Sequence, residues 1–312
     1  MYETSITNSP QFLSLTSLYP EEFQALVPLF QVEYDNWSKH YQFNGLPRIN
    51  RYAPRKGSIL PTYEDKLFFC LVYLKNNPLQ EYHAASFRMN QDMCSKWLKV
   101  LLPIVEKVLK PYEAKRQIQQ LGPHLSENET LIADCTERTV QRSDSDQEHF
   151  FSGKKKRHTI KNLLLINMLG MVVFLGPTVE GNKHDKAVAD EQGLAKLEQV
   201  RMLLDLGFQG LAVHNSTTKI MPHKKPRKKE LSDQKKLENQ VVSSVRVKVE
   251  HSIGGIKRLR IVKDTVRCHS WWRKDQLMVI STSIHNFRTA MRFGRLESAS
   301  CAHAVGYNFI NS

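Results

Sequence analysis

From about residue 130 onward the apolar residues stop recurring at helical spacing and gather into short runs. "TLIADCTE", the two halves of "RHTIKNLLLINMLGMVVFLGP", and "RMLLDLGFQG" each concentrate Leu, Ile, Val or Met within a few residues. Runs this short, bounded by turn formers, read as buried strands, and the break at Gly170 reads as the turn of a β-hairpin. "KHDKAVADEQGLAKLEQV" is helical in pattern, and "LAVHN" is expected as a fifth short strand. A basic loop, "PHKKPRKKELSDQKK", then leads into a last helix carrying "VRVKVEHSIGGIKRLR". The order strand, strand, strand, helix, strand, strand, helix predicts a mixed α/β domain with helices covering its sheet.

The N-terminal part follows the other period. "EEFQALVPLFQVEYDNWSKHYQ" has the pattern of an amphipathic helix, and "NGLPRINRYAPRKGSILP" reads as an extended basic linker. From Thr62 the chain turns helical, with Thr62 and Asp65 at capping-box spacing and Leu67, Phe68, Leu71, Val72 and Leu74 on one side. "LQEYHAASF" is a short second helix and "RMNQ" a turn in which Asn90 can cap the next helix. That third helix buries Met93, Trp97, Leu98 and Leu101. The order is that of a helix-turn-helix, and an ordinary three-helix bundle is the alternative. A helix-turn-helix would leave Gln91, Ser95, Lys96 and Lys99 free to enter a major groove. The expected division is an extension and linker over 1–60, a helix-turn-helix over 61–120, an α/β domain over 128–290 and a tail over 291–312.

Charge narrows the class of partner. Across 312 residues, 45 Lys and Arg against 31 Asp and Glu leave a formal charge of +14, which points to a polyanion, nucleic acid first. Five cysteines, odd in number and widely spaced, argue against a disulfide framework and suit a reducing cytosol. The N-terminus lacks a signal-peptide pattern, and "LLLINMLGMVVFLG" falls short of the roughly 20 residues that span a bilayer. The expectation is a cytoplasmic protein without a membrane partner. No Walker loop or dinucleotide fingerprint is present.

Three carboxylates stand out against this basic background. Asp134 and Asp205 each close an apolar run, where an α/β sheet exposes functional groups. Alone, either would be a turn former or a helix cap. Glu250 lies four residues after Arg246 and seven before Lys257, so on a helix the three share one side. An ion pair with Arg246 is the simple account of Glu250, worth about 0.2–0.5 kcal/mol. If that helix packs beside the sheet edge, three acids converge and require a cation. Hard, oxygen-preferring Mg²⁺ or Mn²⁺ fits, and two such ions support phosphodiester attack.

These residues also carry a family resemblance. "LIADCTERTVQRSDSDQEHFFSGKKKRHTIKNLLLIN" resembles the first catalytic block of bacterial insertion-sequence transposases of the DDE superfamily, in the Harbinger-related branch. "EGNKHDKAVAD", "LLDLGFQG" and the stretch from Pro222 to Arg260 resemble the later blocks in the same order. The helices from Thr62 to about Leu109 resemble the helix-turn-helix that precedes them. The resemblance implies a ribonuclease H-like fold and two-metal cleavage and strand transfer with Mg²⁺ or Mn²⁺. It also implies terminal inverted repeats and target DNA as partners, and a homo-oligomer on that DNA. By position the triad is Asp134, Asp205 and Glu250, with His184 and Asp185 as possible accessories. A nuclease or a DNA-binding regulator derived from a transposase is the alternative.

The remaining basic groups are expected on phosphates: Lys154, Lys155, Lys156 and Arg157 in "GKKKRH", Lys224 and Lys225 with Lys228 and Lys229 in the long loop, and Arg246 and Lys257 beside Glu250. Solvated charge runs are the alternative for the two runs. Trp271 and Trp272 are expected in the core, with base stacking the alternative.

Overall fold

The computed structural model describes residues 5–51, 57–142, 147–226 and 230–299, with side chains through residue 294. The chain divides into two compact units. One is built on residues up to Tyr112, with Arg258–Ile261 and the chain from Phe287; the other comprises Glu113–Lys257 and Val262–Asn286.

The first unit is helical: α1 (Ser9–Thr16), α2 (Pro20–His40), α3 (Tyr63–Asn76), α4 (Gln80–Ser86) and α5 (Gln91–Val108). The capping box at the start of α3 forms, with Asp65 N–H donating to Thr62 Oγ1 at 3.0 Å. Asn90 caps α5 by accepting from Met93 N–H at 2.8 Å. Leu67, Phe68, Leu71 and Leu74 are buried as the pattern requires, whereas Val72 and Met93 are half-buried. Residues 1–60 add two helices to this core. Phe12 of α1 meets Phe23 of α2 edge-on at 5.2 Å and stacks on Phe68 of α3 at 5.8 Å. Aromatic pairs of this kind add about 0.5–1.5 kcal/mol beyond burial itself, so α1 and α2 are integral to the unit.

The second unit carries the sheet. Its strands are β1 (Glu129–Thr139), β2 (Phe151–Ser152), β3 (Arg157–Asn167), β4 (Val172–Leu175), β5 (Val179–Glu180), β6 (Val200–Leu203) and β7 (Thr218–Ile220). The order is β2-β3-β1-β6-β7, with β4 and β5 also paired to β3. β1 runs antiparallel to β3 and parallel to β6, so the sheet is mixed. The hairpin at Gly170 is β3–β4. Between β5 and β6 lies α6 (Asp185–Glu191); α7 (Asp233–Ile256) and α8 (Trp271–Ala299) follow the sheet. Leu131 and Ala133 of β1, Leu163 and Leu165 of β3, Met202 of β6 and Val188 and Ala189 of α6 make one buried cluster.

Four sequence expectations need correction. "LAVHN" is not a strand; the fifth strand of the series is β7, while Leu211 and Val213 pack into the core from a loop. β1 does not close at Asp134 but continues to Thr139, because Thr136, Glu137 and Arg138 find polar partners or burial inside the unit. α6 ends at Glu191, well before the helical pattern does. Trp271 and Trp272 are 39% and 59% exposed; each ring lies under a cation from its own helix, Lys274 and Arg273.

Gly254 and Gly255 do not interrupt α7. A Cβ on Gly255 would lie 2.4 Å from His285 Nδ1 of α8, so the glycine permits a close helix approach that any side chain would block. Its cost in helix propensity, about 1 kcal/mol, is offset by that packing.

Candidate active site

Strand register brings the two aspartates together. Ile132 of β1 pairs with Leu203 of β6, and two further residues along each parallel chain stand Asp134 and Asp205. β6 has ended there, and Asp205 caps the following short 3₁₀ turn, its Oδ1 accepting from Gly207 N–H at 2.8 Å. Asp205 therefore does the local work of a cap and also faces Asp134 from the neighbouring chain. Asp134 accepts from Cys135 N–H at 2.8 Å. Burial, then the nearby Asp205 charge, push the Asp134 carboxyl up to about 6. Two acids held this way favour any cation that can enter.

Arg246 brings a cation to the pair. Its Nη2 lies 3.9 Å from Asp205 Oδ2, and its charge acts to hold the Asp134 carboxyl down. Its buried Nε has no hydrogen-bond partner among the described residues. The alternative account of Glu250, an ion pair with Arg246, finds no such pair among the described residues; Arg246 turns to Asp205 instead. α7 buries Val249, Ser252 and Ile256. Lys257 Nζ reaches across to donate to the Glu137 carbonyl of β1 at 2.9 Å. Burial, then Lys155 and Arg138, lower the Lys257 ammonium, and Asp134 partly offsets them. Glu250 is exposed, on the side of α7 that carries Arg246 and Lys257. Among the described residues, no three His, Cys, Asp or Glu side chains gather closely enough to hold a metal ion.

A third carboxylate, the possible accessory of the sequence reading, lies near the aspartate pair. Asp185, in the first turn of α6, acts on Asp134 electrostatically. A Cβ on Gly207 would sit 2.9 Å from both Asp185 Oδ2 and Asp205 Oδ1, so that glycine keeps a gap between two acids. Asp185 accepts from buried Lys161 at 3.0 Å, and Lys161 also lies 3.6 Å from Glu137. Sequence reading missed Lys161 and its neighbour Asn162, which accepts from the fully buried Arg138 at 2.8 Å. The signal was available: two polar residues interrupt the otherwise apolar strand "TIKNLLLIN". His184 precedes α6, is exposed, and its side chain makes no cap hydrogen bond.

The candidate DNA-binding groups fall in separate places. Gln91, Lys96 and Lys99 are exposed and Ser95 half-buried on α5, with Lys96 donating to Asp92 at 2.6 Å. Lys154, Lys155 and Lys156 form the exposed turn before β3, and Arg157 opens that strand. Lys224 and Lys225 are exposed, Lys225 lying 3.1 Å from Glu230. Lys228 and Lys229 lie outside the described residues.

Comparison with known proteins agrees in both units. Residues 133–286 match a family described as DDE superfamily endonuclease. Residues 60–111 match the helix-turn-helix of DDE superfamily endonuclease. The chain is 29% identical over 143 residues to a probable transposase for insertion sequence element IS702 from Microchaete diplosiphon. That stretch is 46% of this chain, and the chain spans about half of that relative, 51%. No solved structure matches the chain.

Proposed function

We propose, from the premise that this chain belongs to the DDE superfamily endonucleases, that it is a DNA transposase acting on the ends of an insertion sequence. The observation that carries this reading is the register of Asp134 beside Asp205 at the end of β6, with a cationic group drawn to the pair. Oxygen donors, a shared negative charge and a guanidinium standing where positive charge is needed fit a hard divalent ion. Asp134 and Asp205 would hold Mg²⁺ or Mn²⁺; Glu250 as the third carboxylate, and two ions per site, are what the family resemblance adds. Bound there, such ions activate a water or a 3′-hydroxyl and stabilise the departing oxygen.

The chain's own residues do the rest. Lys257, anchored on the Glu137 carbonyl, and Arg246 present positive charge beside Asp134, where a scissile phosphate would lie. Asp185, held by Lys161, adds negative charge that keeps the Asp134–Asp205 pair receptive to cations. α5 would read the element's end in the major groove through Gln91, Ser95, Lys96 and Lys99. The exposed runs at Lys154–Arg157 and Lys224–Lys225 would hold phosphates without regard to sequence. The partners would be terminal repeats and target DNA, bound by an oligomer of the chain in the bacterial cytoplasm. No helix among the described residues is long and apolar enough to cross a membrane.

The test supplies the full chain, Mg²⁺ and linear DNA carrying the sequences that flank its gene, where this reading expects inverted repeats. Joining of a 3′-hydroxyl end to target DNA is the expected product. Cut ends without joining would mark a nuclease, and binding without cutting a regulator.

A further inference from the structure

The second unit contains an open cleft of about 710 Å³ at the far end of β1, lined by Val140, Arg142, Phe151, Lys156, Arg157 and His158 among others. That volume is in the range of about 300–1,000 Å³ typical of small-ligand sites. Its chemistry is mixed in a particular way. Phe151 leaves 45% of its surface exposed and meets the His158 ring edge-on at 6.2 Å. Arg142 is held in place, its Nε and Nη2 donating to Gln147 Oε1 at 2.9 and 2.6 Å. Lys156 and Arg157 are exposed beside it. The buried Nδ1 of His158 has no hydrogen-bond partner among the described residues, an unmet group that a bound polar atom would satisfy.

We infer that this cleft takes one unpaired nucleotide of the DNA substrate, its base on Phe151 and its flanking phosphates on Arg142, Lys156 and Arg157. Base-paired duplex offers a protein only groove edges and backbone, and neither covers an aromatic face. An unpaired base does, and every base has such a face, so the site needs no sequence preference. The position suits a strand already engaged at the aspartates. Val140 lies six residues past Asp134 on the same chain, about 20 Å at ~3.3 Å per residue, or on the order of six nucleotides of one strand. Lys155, in the turn leading to Arg157, is close enough to Lys257 to repel its charge, so basic groups continue from cleft to aspartates.

This inference rests on the transposase reading, and the assay separates the two. The full chain, without divalent ion, is titrated with two duplexes of one sequence, one fully paired and one bearing a single bulged 2-aminopurine. Stacking worth about 1–3 kcal/mol per base predicts roughly tenfold tighter binding of the bulged duplex, with a change in 2-aminopurine fluorescence as the base leaves its neighbours. Phe151→Ala should erase the preference and the fluorescence change while retaining affinity for paired DNA; Phe151→Tyr should keep the preference. Equal binding by the wild-type chain, or a preference that survives Phe151→Ala, overturns the inference and leaves the transposase reading standing. Displacement by thymidine monophosphate at concentrations comparable to the oligonucleotide would make this a free-nucleotide site and overturns it as well. Failure to bind either duplex defeats both readings.

Discussion

Replacing Arg246 with Gln removes the guanidinium that faces the aspartate pair, and the consequences can be sized. At 3.9 Å from Asp205, with an effective dielectric of about 20, the attraction is about 4 kcal/mol. Both side chains are about a quarter exposed, 23% and 27%, so screening by solvent reduces this to about 1 kcal/mol. Loss of that amount should lower the melting temperature of the metal-free chain by about 2–4 °C for a domain of this size. Toward metal the same charge acts in the opposite sense. A divalent ion entering between Asp134 and Asp205 must compete with Arg246, so Arg246→Gln should bind Mn²⁺ roughly fivefold tighter, the equivalent of about 1 kcal/mol. Melting curves over a Mn²⁺ titration read both effects, since a ligand bound only by the folded state raises stability with its concentration. The variant should start lower and gain more. An unchanged melting temperature without metal, together with a metal-induced gain equal to wild type, would refute the view that Arg246 neutralises a cation site.

Three further outcomes follow from other parts of the chain. His83, 1% exposed and bonded to the Phe69 carbonyl, has its pKa pushed down to about 4 by burial, so the unfolded chain takes up its proton first. Its contribution is fully present above about pH 6.5 and falls by about 3 kcal/mol as pH drops to about 4, and His83→Gln should remove that part of the pH dependence in denaturant titrations. Gln91→Ala with Lys96→Ala should relax discrimination between element ends and unrelated DNA by about 1–3 kcal/mol for each base no longer read, measured by competition binding. Neutralising Lys224 and Lys225 should flatten the slope of log affinity against log salt by about 0.9 for each phosphate left without its cation, with sequence preference unchanged.

The features legible in sequence are those decided within a few residues. The Thr62–Asp65 box, the Asn90 cap and the turn at Gly170 each depend on near neighbours, and each forms. Asp205 could be read as a cap for the same reason. What sequence hid depends on partners far along the chain. Glu137 and Arg138 look like the polar end of a strand, yet Lys161, Asn162 and Thr178 give them partners inside the second unit, and so β1 runs on past Asp134. Asp185 could be singled out beside His184, but its setting could not, because Lys161, 24 residues earlier, is what holds it. Trp271 and Trp272 are apolar enough for a core, but only the packing of α8 decides that they face outward. Residues 1–60 carry few local signals, and their role emerges from Phe12 meeting both Phe23 and Phe68.

The central claim is that Asp134, Asp205 and Glu250 act as one metal-holding unit. Strand cleavage of element-end DNA in Mg²⁺ or Mn²⁺ tests it most directly, comparing the wild-type chain with Asp134→Asn, Asp205→Asn and Glu250→Gln. Each variant should bind DNA as well as wild type or better, while cutting on the order of a thousandfold more slowly, and paired substitutions should cost little more than single ones. Cleavage by Glu250→Gln at near wild-type rate, with cleavage abolished in Asp185→Asn, would contradict the account and make Asp185 the third carboxylate.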